Sequence, residues 1–154
     1  MRGYLIPLMA GLVLAASAFM PWVNVGDLSL RGFPDLTALW VMGLGLLAAV
    51  LAVLSMITRK NSRHPLLLVG LVAFGIMLLS WEVVPQSVAK RVLTRSQAIA
   101  IVERTPMGEG PRAFAGSGIY AGLVASSIIT GFGLTIVVRR VARPYVEVDP
   151  NDDV

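Results

Sequence analysis

Four apolar runs of roughly 20 residues punctuate the chain, over 4–23, 37–57, 65–84 and 116–138. At 1.5 Å of rise per residue, a helix of that length covers about 30 Å, the thickness of a bilayer's hydrocarbon core. The runs lack the polar/apolar alternation of barrel strands. The pattern therefore predicts helices, which satisfy their backbone polar groups within the segment. Pro7 and Pro65 fall in first turns, where a missing N–H costs little, whereas Pro21 and Pro85 are expected to close the first and third helices. The predicted fold class is all-α: an integral membrane four-helix bundle over 1–143, followed by an acidic tail at 144–154.

Between the runs lie two longer segments. The first, 24–36, carries Gly26 and Gly32 and suits a small hairpin. The second, 85–115, places Val88, Val92, Ile99 and Val102 at helical spacing, with Arg91 and Arg95 intruding on that face, and an interfacial helix is expected there. Residues 107–111 read as a turn or connector, and the acids and prolines of the tail do not form a core of their own. Arg2, a short apolar stretch and Ala16-Ser17-Ala18 imitate a secretory signal, but the apolar run continues through Phe19, Met20 and Trp22 and favours an uncleaved first helix.

Composition agrees with a bilayer as solvent, since 56% of the 154 residues are hydrophobic and only 14% charged. The net charge of +4 is spread over basic residues near the ends of apolar runs, where lipid headgroups and not nucleic acid are the expected neighbours. Arg2, Arg59, Lys60, Arg63, Arg139, Arg140 and Arg143 fall on one side, and Arg31, Lys90, Arg91, Arg95, Arg104 and Arg112 on the other. That near balance is tipped by aromatic residues. Trp22, Trp40, Trp81 and Tyr120 sit at helix ends opposite the dense basic clusters and are expected to be interfacial anchors, which places both termini in the cytoplasm.

The chain has no cysteine, so disulfides and thiolate sites are excluded, and its single histidine, His64, cannot build a zinc or bis-histidine haem site alone. No cofactor or metal is expected. No nucleophile motif, Walker loop or metalloprotease motif is present, and an enzyme is not expected. Glu82 is the one acid within an apolar run. Its place beside Trp81 and near the helix end predicts an ion pair with Arg91 or Arg95, or a snorkelling carboxylate, in preference to proton or cation coupling.

Gly118, Gly122, Ser126 and Thr130 recur every four residues on the fourth helix, a small-residue stripe that lets another backbone come close. Its destination is either the inside of the bundle, the commoner case, or the helix of another subunit. Gly11 with Ala15 and Gly45 with Ala49 repeat the motif more weakly, while Gly131 and Gly133 lie on other faces. Pro21-Trp22 closing the first helix, a short glycine-bearing outer loop and a glycine-rich fourth helix ending in Arg139-Arg140 resemble the layout of small bacterial four-helix inner-membrane proteins of no assigned activity. The layout is also similar to claudin-like tetraspan proteins, but their cysteine pair is missing. Small multidrug-resistance transporters share the helix number, but their glutamate in helix one is absent here. No residue role carries over from either.

The function expected on these grounds is that of a non-catalytic accessory or scaffolding subunit of a larger complex in a bacterial inner membrane. Its expected partners are other integral membrane subunits or a second copy, and lipids. A small oligomeric channel or transporter is the alternative, with Glu82, Ser126, Ser127 and Thr130 the polar side chains available to line a path.

Overall fold

The computed structural model describes residues 2–58, 63–104 and 112–141. Arg59, Lys60, Arg143, the connector expected at 107–111 and the acidic tail lie outside the described residues. The chain is mostly helical. A 3₁₀ turn, Arg2–Tyr4, leads into α1 (Leu5–Ser17), and α2 (Leu36–Thr58), α3 (Arg63–Glu103) and α4 (Ser117–Val141) follow. α2, α3 and α4 are long and apolar enough to cross a membrane, and α1 is a shorter apolar helix. α1 packs against α2 and α4, and α3 against α4 and α2, so the four helices close into a ring.

The all-α expectation is amended at one end of this ring, where a three-stranded antiparallel sheet is built from β1 (Pro21–Val25), β2 (Leu28–Arg31) and β3 (Ala113–Ala115), in the order β2-β1-β3. β1 and β2 form the hairpin expected in the first outer segment. Gly26 turns it with φ +57°, the sign required at the first central residue of a type II′ turn. β3 comes from the second outer segment and was not legible, because three residues are too few to show alternation.

The first apolar run is therefore not one helix. α1 stops at Ser17, and residues 18–20 close it with tight bonds from Ala18, Phe19 and Met20 N–H to the carbonyls of Ala15, Ala16 and Ser17. Pro21 is the reason: a continued helix would need its N–H for the Ser17 carbonyl, and proline has none. Pro85, expected to end α3, does not; it is buried inside a helix of 41 residues, about 61 Å long at standard rise. An interior proline costs about 3 kcal/mol in a helix without tertiary support. Here Val84 and Val88, on either side of it, pack against the core, and α3 runs past β1 and β3 in contact with both. That packing carries the helix through.

Two sets of close backbone contacts hold the ring. A Cβ added to Gly11 would lie 2.7 Å from the Gly45 carbonyl oxygen and 2.9 Å from Ala49 N, and one added to Gly45 would lie 2.6 Å from Ala15 N. The two weaker small-residue motifs thus seat α1 directly on α2. Between α3 and α4, a Cβ on Gly70 would meet Thr130 N at 2.8 Å, and one on Gly133 would meet Leu67 Cα at 2.6 Å. Gly133 is therefore a packing residue and not merely a supple one, whereas Gly131 faces open space.

Candidate functional site

The most constructed part of the molecule is the junction between the sheet and the helix ends, and Trp22 is at its centre. The pairing of β1 with β2 slips between Pro21 and Val23, leaving Trp22 as the extra residue of a β-bulge. A strand normally sends successive side chains to opposite faces. The bulge breaks that rule, so Trp22 and Val23 are both buried, at 2% and 1% exposure. The Trp22 Nε1–H donates to the Ser17 carbonyl at 2.9 Å. Three glycines wall the indole and its strand: added Cβ atoms would lie 2.6 Å from Trp22 Cε2 at Gly32, 2.7 Å from Cδ1 at Gly118, and against the Pro21 carbonyl at Gly116. Trp22 is thus a core residue, and its expected role as an interfacial anchor is corrected. Trp40 and Tyr120 are exposed in the first turns of α2 and α4, and Trp81 is exposed in the middle of α3, which runs on past the helix end expected there.

The α4 stripe points inward. Gly118 faces Trp22, Gly122 faces the Met77 thioether and Ser17 Oγ, Ser126 is fully buried, and Thr130 sits against Gly70. Its hydroxyls are used within the helix, Ser126 Oγ donating to the Gly122 carbonyl at 2.8 Å and Thr130 Oγ1 to that of Ser126 at 2.8 Å. Gly118, Gly122 and Ser126 are buried and Thr130 is half-buried, so the stripe is taken up by internal packing.

The ion pair expected of Glu82 is not formed with either arginine. Glu82 is exposed, and its Oε1 accepts from Gln86 Nε2 at 2.9 Å, one turn along the same helix. Because α3 continues unbroken, Arg91 and Arg95 stand about 13 and 20 Å farther along its axis, beyond side-chain reach. Both are exposed, as is His64 at the opposite end of α3. Among the described residues no cluster of three or more His, Asp or Glu could hold a metal ion.

Open grooves run along the helices. One of about 430 Å³, between α1 and α4, is lined by Leu5, Ile6, Met9, Val13, Val124 and Ile128. Another, between α2 and α3, is lined by Leu36, Trp40, Ile76, Leu79, Ser80 and Val83. The Ser80 hydroxyl there is bonded to the Ile76 carbonyl at 2.7 Å. Such walls suit acyl chains or apolar helices and offer no converging polar groups to orient a reacting substrate. The end of α3 is different again. Beyond Leu93 its residues are exposed apart from a half-buried Ala100, and Ile99, Ile101 and Val102 lie on different sides of it. No protein-family model, curated protein or solved structure matches this chain.

Proposed function

We propose that the protein is a non-catalytic accessory or scaffolding subunit of a larger integral membrane complex in a bacterial inner membrane, with its four helices in the bilayer and both termini in the cytoplasm. The observation that carries this reading is the α3 projection. A helix that continues about 15 Å past Leu93, with Ile101 and Val102 at 67% and 83% exposure, presents apolar side chains that the other described residues leave uncovered and is the surface best placed to meet a partner. Small-residue docking through α4 is no longer part of the proposal, because that face is filled. The channel alternative loses support for the same reason, since Ser126 is buried and Thr130 sits against Gly70.

Membrane insertion is supported by the length and apolarity of α2, α3 and α4, and by the exposed Trp40 and Tyr120 in the first turns of α2 and α4. Gentle solubilisation of the native protein tests the assembly: it is expected to migrate with other integral membrane subunits, and Ile101→Ser with Val102→Ser to release them while the chain stays folded. Migration alone, or an unchanged assembly in the double variant, overturns the reading. Orientation has its own test. A membrane-impermeant thiol reagent added to intact cells is expected to label Gln97→Cys and spare His64→Cys, and the reverse pattern overturns the proposed sides.

A further inference from the structure

The hairpin carries an apolar surface that the helices do not cover. Cross-strand partners share a face of the sheet, and the register pairs Val23 with Leu30 and Val25 with Leu28. Val23 and Val25 are buried against the helices, so Leu28 and Leu30 point the same way, toward the helix ring. Yet they are 73% and 45% exposed, because β2 overhangs the ring. The opposite face of the sheet carries Asn24, Ser29 and Phe114. At the same end of the molecule Phe19 and Phe33 lie with ring centroids 5.5 Å apart and both rings exposed, tied by the Phe33 N–H to the Ala18 carbonyl at 2.8 Å.

The height of this overhang follows independently from α1. Its 13 helical residues and the 3₁₀ turn before them rise about 25 Å, less than the roughly 30 Å of a hydrocarbon core. With Arg2 at one boundary, β1 begins four residues after Ser17, at the level of the other boundary and not above it. We infer that the β1–β2 hairpin is a lipid-contacting anchor, lying flat in the headgroup–acyl boundary of the outer leaflet with Leu28 and Leu30 inserted toward the acyl chains and Ser29 toward water. This inference rests on the membrane reading given above. It gives the chain an interfacial foot beside its helices, bound by the same physics as monotopic apolar faces.

The absence of cysteine allows single nitroxide labels to be placed at will. In liposomes of phosphatidylethanolamine and phosphatidylglycerol, labels at Leu28→Cys and Leu30→Cys are expected to collide several-fold more with oxygen, relative to a water-soluble nickel chelate, than labels at Ser29→Cys and Phe114→Cys. Leu47→Cys and Val50→Cys, on exposed positions midway along α2, report whether the helices are in lipid at all. An oxygen preference at 47 and 50 with free nickel access at 28 and 30 overturns the hairpin anchor alone. Labels at 28 and 30 that are immobile and shielded from both reagents also overturn it, because protein then covers the face. Nickel access at 47 and 50 overturns the membrane reading and the anchor together.

Discussion

The indole Nε1 of Trp22 donates to the carbonyl oxygen of Ser17 at 2.9 Å, the oxygen that the N–H of residue 21 would have reached had it not been proline. A side chain thus supplies the second bond to a carbonyl that also accepts from the Met20 N–H at 3.2 Å. A net intramolecular hydrogen bond contributes about 0.5–1.5 kcal/mol. Trp22→Phe keeps most of the ring volume, removes the donor and leaves the Ser17 carbonyl paired with Met20, so it is expected to destabilise by about that amount. Thermal unfolding in mild detergent checks it, and a midpoint equal to that of the parent would show that the bond contributes nothing.

Two glycines of α2 are expected to respond in opposite directions. A Cβ on Gly43 meets nothing within 4 Å, while one on Gly45 meets the backbone of α1 at 2.6 and 2.7 Å. Gly43→Ala should be neutral or stabilising by up to about 1 kcal/mol through helix propensity. Gly45→Ala should destabilise by more than about 1 kcal/mol, because two backbones must separate. Equal effects in unfolding measurements would contradict the α1–α2 contact.

The inward stripe makes a prediction that a docking helix would not. Gly122→Leu is expected to lower the stability of the isolated chain by about 3 kcal/mol or more, since the added side chain enters the space of Met77 and Ser17. Gly131→Leu, whose Cβ would meet nothing within 4 Å and point into open space, should leave it near the parent value. Denaturation of both purified variants decides the matter. If Gly122→Leu unfolds like the parent, the stripe faces outward.

Glu82→Gln is expected to change stability by less than about 0.5 kcal/mol. The carboxylate is exposed, and its partner within this chain is Gln86, to which an amide oxygen can also bond. A loss of several kcal/mol in chemical denaturation would mean that the carboxylate pairs with a charge elsewhere.

Gly26 isolates a backbone effect. It holds φ +57° with open space where a Cβ would be, so Gly26→Ala adds strain and no clash. A cost of about 1–2 kcal/mol is expected, with the hairpin face losing its order first. Nitroxide mobility at Ser29→Cys reads this directly, and an unchanged spectrum would show that the turn tolerates the left-handed conformation.

What the sequence determined by itself was local. Runs of apolar residues long enough to span a bilayer mark α2, α4 and the first part of α3 to within a few residues, and Gly26 and Gly32 mark the segment that holds the hairpin, because length, backbone satisfaction and turn geometry depend on neighbours in the chain. What the tertiary structure decided was direction. Helices apolar on every side carry no polar face to tell inside from outside, so the Gly118–Thr130 stripe could be placed on α4 but not aimed. Trp22 reads as a surface anchor in any list of helix-end aromatics, and only the bulge, with Gly32 and Gly118 brought from 10 and 96 residues away, turns it inward. Pro85 obeys the local rule until Val84 and Val88 find the core, and Glu82 loses its expected arginines because the helix then never turns back. Each of these outcomes rests on contacts between residues far apart in the chain, whose energies exceed the local preferences they override and leave no periodic trace in the sequence.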